Sequence, residues 1–347
     1  MRRLIRKVET DFRSIIGYQS YYLYGFLSEN CDISFSKLDI DIDNHDDYRR
    51  GSAWIIDLND GRRKKLYIDS NDSNDIHERF YDWSDVYAKI NLRQEDLTRG
   101  KVLPIGPSFG VSIWNPATTM CKAIYNRIRW CDGYKEKWKS YLRDYAYLFV
   151  RRAKYPSYNI ECAEDREYMF VLNTLWYDEG TYDSTNRLRG VYAKTCKELF
   201  PTFEGGFFYI PNVEYEVPKY REYLDDYKDM LIKKRISMRE YMRRIERASF
   251  VFNTPSVCGC HGWKMAEYLA MGKAMISTHI NNVMPGEFVP GKHYIEANTD
   301  EEIYNAVKLL KDNPQIISEL KNNSTKYFNE YLAPTAVIGR IVNKICE

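Results

Sequence analysis

Three residues whose types and spacing could do chemistry stand close together at Gly262, Lys264 and Glu267. The run 252–277 around them reads as a strand, a glycine-containing loop, a short helix over 263–271 closed by Gly272, and a second strand over 273–278. A loop that passes close to a phosphate and runs into a helix amino terminus offers N–H groups and the positive end of the helix dipole to a diphosphate. Lys264 adds a mobile positive charge. Glu267, three residues on and therefore on the same helical face, places a carboxylate that can accept both hydroxyls of a ribose.

A ligand of a parallel sheet lies outside the carboxyl ends of its strands, so the residues just past each strand are the useful ones. After the strand 250–252 these are Asn253, Thr254 and Ser256, then His261, Gly262 and Trp263 ahead of Lys264. After the strand that ends at Thr174, a polar loop leads into Asn186, Arg187, Leu188 and Arg189. The planar fork of arginine donates two hydrogen bonds together, which suits phosphate, although arginines early in a helix are also common surface residues.

The run 252–278 closely resembles the donor-binding segment of glycosyltransferases with the GT-B fold. In that segment a glycine loop is followed by a basic residue, a glutamate three positions later and an Ala-x-Gly helix end, matched here by Gly262, Lys264, Glu267, Ala270 and Gly272. The resemblance extends over about 167–330. It implies an α/β chain of two Rossmann-like domains facing a cleft, with a C-terminal helix crossing back to the first domain. The implied activity is transfer of a sugar from a nucleoside diphosphate to a saccharide or lipid-linked saccharide acceptor in polysaccharide or glycan assembly, with Glu267 on the nucleotide ribose and Arg187 and Arg189 on the diphosphate. Many retaining members carry a second glutamate eight positions before the first; here that position is Gly259, and His261 is the nearest polar residue to replace it in contact with the donor, or else a structural histidine of the loop. An inverting member needs a base from the first domain. Glu9 and Asp11, after the first strand, could deprotonate a sugar hydroxyl or could cap the helix that begins near Asp11. His45 and His77 are further candidates, and the turn 106–110, with glycine at both ends, would suit close approach of a ligand. No cofactor and no metal are expected, because Arg187, Arg189, Lys264 and the helix terminus can neutralise the diphosphate, and the Asp-x-Asp matches at 39–41 and 41–43 lie in a polar run of the first half. A catalytically silent nucleotide-sugar or saccharide-binding protein, or a sugar-nucleotide epimerase, is the alternative.

The elements that must position these residues follow from periodicity. From about 167 the chain alternates strand-like and helix-like segments: strands over 167–174, 206–210, 250–252 and 273–278, and helices over 187–200, from Ser237, from Thr299, over 315–331 and over 335–345. Ser237 and Glu240, and Thr299 and Glu302, have capping-box spacing. In the first half, strands are expected over 4–8, 52–58, 65–69, 86–91 and 102–105, a hairpin turn at Asn59, Asp60 and Gly61, and helices over 11–28 and 134–152. Domains are accordingly drawn at 1–158 and 159–332, with a crossing helix at 333–347. A chain of 347 residues with 44% hydrophobic and 29% charged side chains has the size for two such cores.

Fifty-one Lys and Arg against 49 Asp and Glu remove the broad positive footprint of a nucleic-acid binder. No run has the length of apolar residues that crosses a bilayer and no signal peptide is read, which places the chain in the cytoplasm, with a peripheral contact at the inner membrane face through the basic start Arg2, Arg3, Arg6 and Lys7 compatible with it. The eight cysteines are scattered and read as reduced thiols; Cys258, Cys260 and His261 are too close together to build a tetrahedral metal site unaided. The 30 tyrosines include Tyr18, Tyr21, Tyr22 and Tyr24 on one helix, as core residues or as a saccharide-lining surface.

Overall fold

The computed structural model describes residues 4–40, 50–130, 136–159, 165–178, 180, 185–256 and 259–347. Asp41, Asp43, His45, Cys258 and the first residues of the 134–152 helix candidate lie outside them. The chain forms two compact units: unit 1 is Met1–Ser157, Asn282–Glu287 and Phe328–Glu347, and unit 2 is Tyr158–Asn281 and Phe288–Tyr327.

Unit 1 is built on β1 (Ile5–Asp11), β2 (Asp32–Ser36), β3 (Ser52–Leu58), β4 (Arg63–Asp69), β5 (Val86–Lys89) and β6 (Val102–Pro104), in the order β2-β1-β3-β4-β5-β6. All neighbours are parallel except at β3, which runs antiparallel to β1 and to β4. The expected hairpin turn joins β3 to β4, with Gly61 at φ +88° and the Asp60 carboxylate accepting the Arg62 N–H at 2.9 Å. The helices are α1 (Ile16–Ser28), α2 (Glu78–Trp83), α3 (Pro116–Arg129) and α4 (Trp138–Val150).

Helix α1 starts five residues later than its sequence pattern suggests, and the reason is Asp11. Its carboxylate is fully buried and accepts a bidentate pair from Arg13, at 2.9 and 2.8 Å, together with the N–H groups of Arg13 at 2.8 Å and Leu38 at 3.0 Å. Arg13 in turn donates to the carbonyls of Leu38 and Ile40. Asp11 is thus the last residue of β1 and a brace for the loop after β2, not a helix cap. Glu9 lies within β1, not in the loop beyond it, and pairs with Lys7 at 2.6 Å and Arg63 at 3.0 Å.

Unit 2 holds β7 (Tyr168–Thr174), β8 (Thr202–Phe208) and β9 (Leu231–Ile232) in one parallel set and β10 (Val251–Asn253), β11 (Met275–Ser277) and β12 (Ile295–Glu296) in another. A parallel bridge from Asp165 to Ala248 and the Ser249 N–H donating to the Tyr168 carbonyl join the sets side by side. The combined order β9-β8-β7-β10-β11-β12 is the doubly wound arrangement, and winding reverses between β7 and β10. Helices α5 (Arg187–Leu199), α6 (Val213–Glu216), α7 (Tyr220–Asp226), α8 (Met238–Arg247), α9 (Trp263–Ala270), α10 (Asp300–Asp312) and α11 (Pro314–Tyr327) connect and cover it. Tyr192 of α5 stacks on Phe252 of β10 with ring centroids 4.6 Å apart, fixing that helix against the strand that ends at the reversal. The middle strand β8 passes its neighbours too closely for any side chain at Gly205 and Gly206. A Cβ there would meet the Val171 carbonyl at 1.8 Å and the Met230 carbonyl at 2.1 Å, and both residues have positive φ.

The last helix, α12 (Pro334–Cys346), returns to unit 1, where Gly25 of α1 lies so close to it that a Cβ would meet the Pro334 carbonyl at 2.5 Å. Tyr21 donates to the Leu332 carbonyl at 2.6 Å and Tyr22 to Ser108 at 3.1 Å, so both tyrosines are core, whereas Tyr18 and Tyr24 are only partly buried. The 106–110 turn is packing as well: a Cβ on Gly106 would meet Leu332 at 2.6 Å.

Breaking one side of a buried ion pair strands the other charge, which costs roughly 3–5 kcal/mol. Asp11→Ala is therefore expected to lose stability of that order in a denaturant titration. Wild-type stability with activity abolished would instead return Asp11 to the role of a base.

Candidate functional site

Two segments converge at the winding reversal. The first is the end of β7 and the start of α5. The Asn186 side chain brackets Trp176 by donating to its carbonyl at 2.7 Å and accepting its N–H at 3.1 Å, which folds the loop after β7 back toward the sheet. The second is the loop from Thr254 to Gly262 that leads into α9. The Thr185 hydroxyl donates to the Pro255 carbonyl at 3.2 Å, the Ser256 N–H donates to the Cys260 carbonyl at 3.0 Å, and Gly259 has φ +68°. Between the two segments lies a cavity of about 150 Å³, lined by Asn173, Thr174, Trp176, Arg189, Phe252, Asn253, Thr254, Ser256, Gly262, Trp263 and Lys264.

Among the described residues that line it there is no Asp or Glu, while two cations reach it from different elements. Arg189, in the first turn of α5, is buried and donates through Nε to the Thr254 hydroxyl at 2.8 Å and through Nη1 toward the Thr174 carbonyl at 3.5 Å. Burial lowers its pKa from 12.5 to about 10. Lys264, at the second position of α9, donates through Nζ to Asn173 Oδ1 at 3.2 Å. Loss of hydration, and then the Arg189 charge beside it, bring its pKa from the usual 10.5 down to about 7, against a smaller opposing pull from Glu267. Neutral dipoles thus hold two cations that repel each other. An anion placed between them would be met by both charges and by the amino end of α9, where Gly262 offers no side-chain cap and the space on its Cβ side is open.

Glu267, Arg187 and His261 are placed differently. Glu267 is 6% exposed, is not among the residues lining the cavity, and accepts the Tyr158 hydroxyl at 3.1 Å. Arg187, two residues before Arg189 and therefore on the opposite face of α5, is exposed and ion-paired with Asp300 at the start of α10. His261 is buried in the loop behind Gly262 and is not part of the lining. Glu9 and Asp11 belong to unit 1 with the partners described above, and His77 opens α2 there with its N–H donating to the Tyr87 hydroxyl at 3.2 Å.

Sequence reasoning passed over two features. Asn173, one residue before the end of β7, is the acceptor that positions Lys264; its signal is only a polar residue in an otherwise apolar strand. A second, wider space of about 460 Å³ adjoins the first at Thr174 and Trp176 and continues along the carboxyl ends of β8 and β9 to Phe208, Ile210, Pro211, Lys233 and Arg235. The Arg235 guanidinium lies over the Phe208 ring, 5.1 Å from its centroid.

No protein-family model matches this chain, and no curated protein matches it in sequence. Among solved structures, the C-terminal domain of a glycosyl transferase group 1 family protein (LpcC) from Francisella tularensis is similar at 11% identity and a TM-score of 0.31, over 47% of this chain and 83% of that one. HepE of Anabaena, solved with UDP and glucose, is similar at 9% identity and a TM-score of 0.42, over 76% of this chain and 63% of that one. Sucrose-phosphate synthase of Thermosynechococcus elongatus is similar at 12% identity and a TM-score of 0.43, over 76% and 58%. The chain thus spans less than two thirds of the length of the latter two.

The depressed Lys264 value has a consequence for stability. Between about 7 and 10.5 the unfolded chain holds a proton on Lys264 that the folded, ligand-free protein has released, so stability rises with pH across that window and the penalty is complete below it. Lys264→Met should raise the melting temperature at pH 6 and flatten the rise between pH 7 and 10 relative to wild type. A variant that melts lower at pH 6 would mean that the charge is stabilising where it sits.

Proposed function

We propose that this chain is a glycosyltransferase that binds a nucleoside diphosphate sugar at the carboxyl ends of β7 and β10 and passes the sugar to a saccharide acceptor. The observation that carries the reading is the convergence of Arg189 and Lys264 on a cavity at the point where the sheet reverses its winding, with no carboxylate among the described residues that line it. In this reading the diphosphate sits between the two cations and the amino end of α9. Charge that grows on the departing diphosphate is stabilised by the same groups, which are already oriented by Thr254, Asn173 and the Thr174 carbonyl. The adjoining space takes the nucleoside, with Trp176 and Phe208 in its lining as aromatic partners for a base.

Calorimetric titration of a nucleoside diphosphate and of the matching nucleoside into wild type, Lys264→Ala and Glu267→Ala tests these assignments, after a screen of nucleotide sugars by thermal shift and a transfer assay on the hit. Lys264→Ala should weaken the diphosphate by about 1–3 kcal/mol more than the nucleoside, as befits a charge-assisted contact. Equal losses for the two ligands would remove Lys264 from the phosphate. For Glu267→Ala, a loss shared by both ligands marks a ribose acceptor. A loss confined to the diphosphate marks a brace that acts on Lys264 through the local field.

Transfer should also persist in excess chelator, because the two cations and the helix terminus neutralise the diphosphate. Loss of activity in chelator with recovery on manganese or magnesium would assign that task to a metal.

A further inference from the structure

Helix α3 of unit 1 is turned inside out. Its inward face carries Thr119, Ala123, Asn126 and Arg127, all buried, and Arg127 donates to the Glu136 carbonyl at 3.1 Å. Its outward stripe, at the spacing of successive helical turns, carries Cys121, Ile124, Tyr125, Ile128 and Arg129, all exposed. Ile124, Tyr125 and Ile128 are 42%, 64% and 62% exposed, which leaves adjoining apolar side chains in water where a helix of this length ordinarily shows polar ones. Trp138, at the first turn of α4, is 44% exposed and lies against the end of α3, its ring 5.2 Å from the Arg127 guanidinium.

Charge along this stretch of the chain is predominantly positive. No Asp or Glu occurs between residues 97 and 131, and over residues 116–154 ten Lys and Arg stand against three Asp and Glu, in a chain that is otherwise net acidic. Arg129 at the end of α3 and Lys137 and Lys139 at the start of α4 are exposed, and Lys122 and Glu136 are partly so. We propose that this face of α3, with the start of α4, docks on an anionic lipid surface, Ile124, Tyr125 and Ile128 entering the interface and the basic residues meeting the headgroups. Both properties are needed for that occupant: an apolar stripe about two turns long to bury, a cationic border to draw it down, and tyrosine and tryptophan at the boundary, where amphipathic rings sit. A second copy of the chain would bring the same positive charge face to face. A nucleic-acid backbone would use the cations but leave the isoleucines with nothing apolar to meet.

The test is co-sedimentation of the full chain with vesicles of phosphatidylglycerol and phosphatidylcholine, and with vesicles of phosphatidylcholine alone. Binding is expected only with the anionic lipid, should fall as salt rises, and should weaken about tenfold or more in Ile124→Ser/Ile128→Ser, whose altered residues are exposed and should leave the melting temperature unchanged. Tyr125→Ser gives the same direction with a smaller change, and serves if the double variant does not fold. Absence of binding to the anionic vesicles overturns the proposal. So does binding that these variants leave intact, which would move the contact elsewhere, for instance to Arg2, Arg3, Arg6 and Lys7. Self-association in sedimentation velocity that the isoleucine variant abolishes, without vesicle binding, would make the face an interface between copies.

Discussion

Two positive charges held near each other with little water between them are costly unless something of opposite sign completes the site. Arg189 and Lys264 meet that constraint in two ways: with neutral partners, a hydroxyl, an amide oxygen and a backbone carbonyl, and with a lysine that gives up its proton above about pH 7 when no anion is bound. Much of unit 2 can be read as the apparatus that keeps them there. Tyr192 stacked on Phe252 sets α5, and with it Arg189, against β10. Asn253, donating to Ser277 at 2.9 Å, ties the end of β10 to β11. Glu267, with Tyr158 on its carboxylate, supplies a moderating negative field rather than a counter-ion inside the cavity. A carboxylate in the lining would satisfy the cations permanently and leave little reason for an anionic ligand to bind.

Unit 1 treats buried charge in the opposite way. Asp11 and Arg13 neutralise each other at the end of β1, and Asp69 and Lys89, both without exposed surface, meet at 2.7 Å at the ends of β4 and β5. Asp69 also accepts the Tyr87 hydroxyl and two N–H groups of Asn71; against burial, which raises it, the Lys89 ammonium first and then these hydrogen bonds hold its carboxyl below the usual carboxylate range. Closed networks of this kind fix loops and leave no charge for a visitor. The contrast explains why the geometry of unit 2 speaks for a ligand while the corresponding strand ends of unit 1 speak for architecture.

How much of this could be read from sequence depends on whether local or distant partners decide. Local signals held: the Asn59 to Gly61 turn, the αL residue Gly272 at φ +60°, and the full capping box of Thr299 and Glu302. Ser237 caps α8 as its spacing suggests, but the Glu240 side chain goes to Arg243 and Arg244, so only half of that box forms. The start of α1 was misleading because a partner 27 residues away, the Leu38 N–H, holds Asp11 in the strand. Strand β2, the two-residue β9 and helix α3 went unseen, although Asn115 and Pro116 spell a start for α3. Within the site, the glycine, the lysine and Arg189 were legible from type and position. That Asn173 would take the Lys264 ammonium, and that Arg187 would turn away to Asp300, depends on contacts between segments far apart in the chain.

The return of α12 to unit 1 bears on the order in which the protein can mature during synthesis. The slot beside α1 is shaped to the last helix, with Gly25 against Pro334 and Tyr21 bonded to the Leu332 carbonyl. Those contacts cannot exist until all of unit 2 has been translated, whereas unit 2 draws its own residues from a nearly continuous stretch. Until they form, the α1 side of that slot stays uncovered, however far the second unit has already folded. For that interval the earlier-made half is the more exposed to proteases and to aggregation, and the better client for a chaperone.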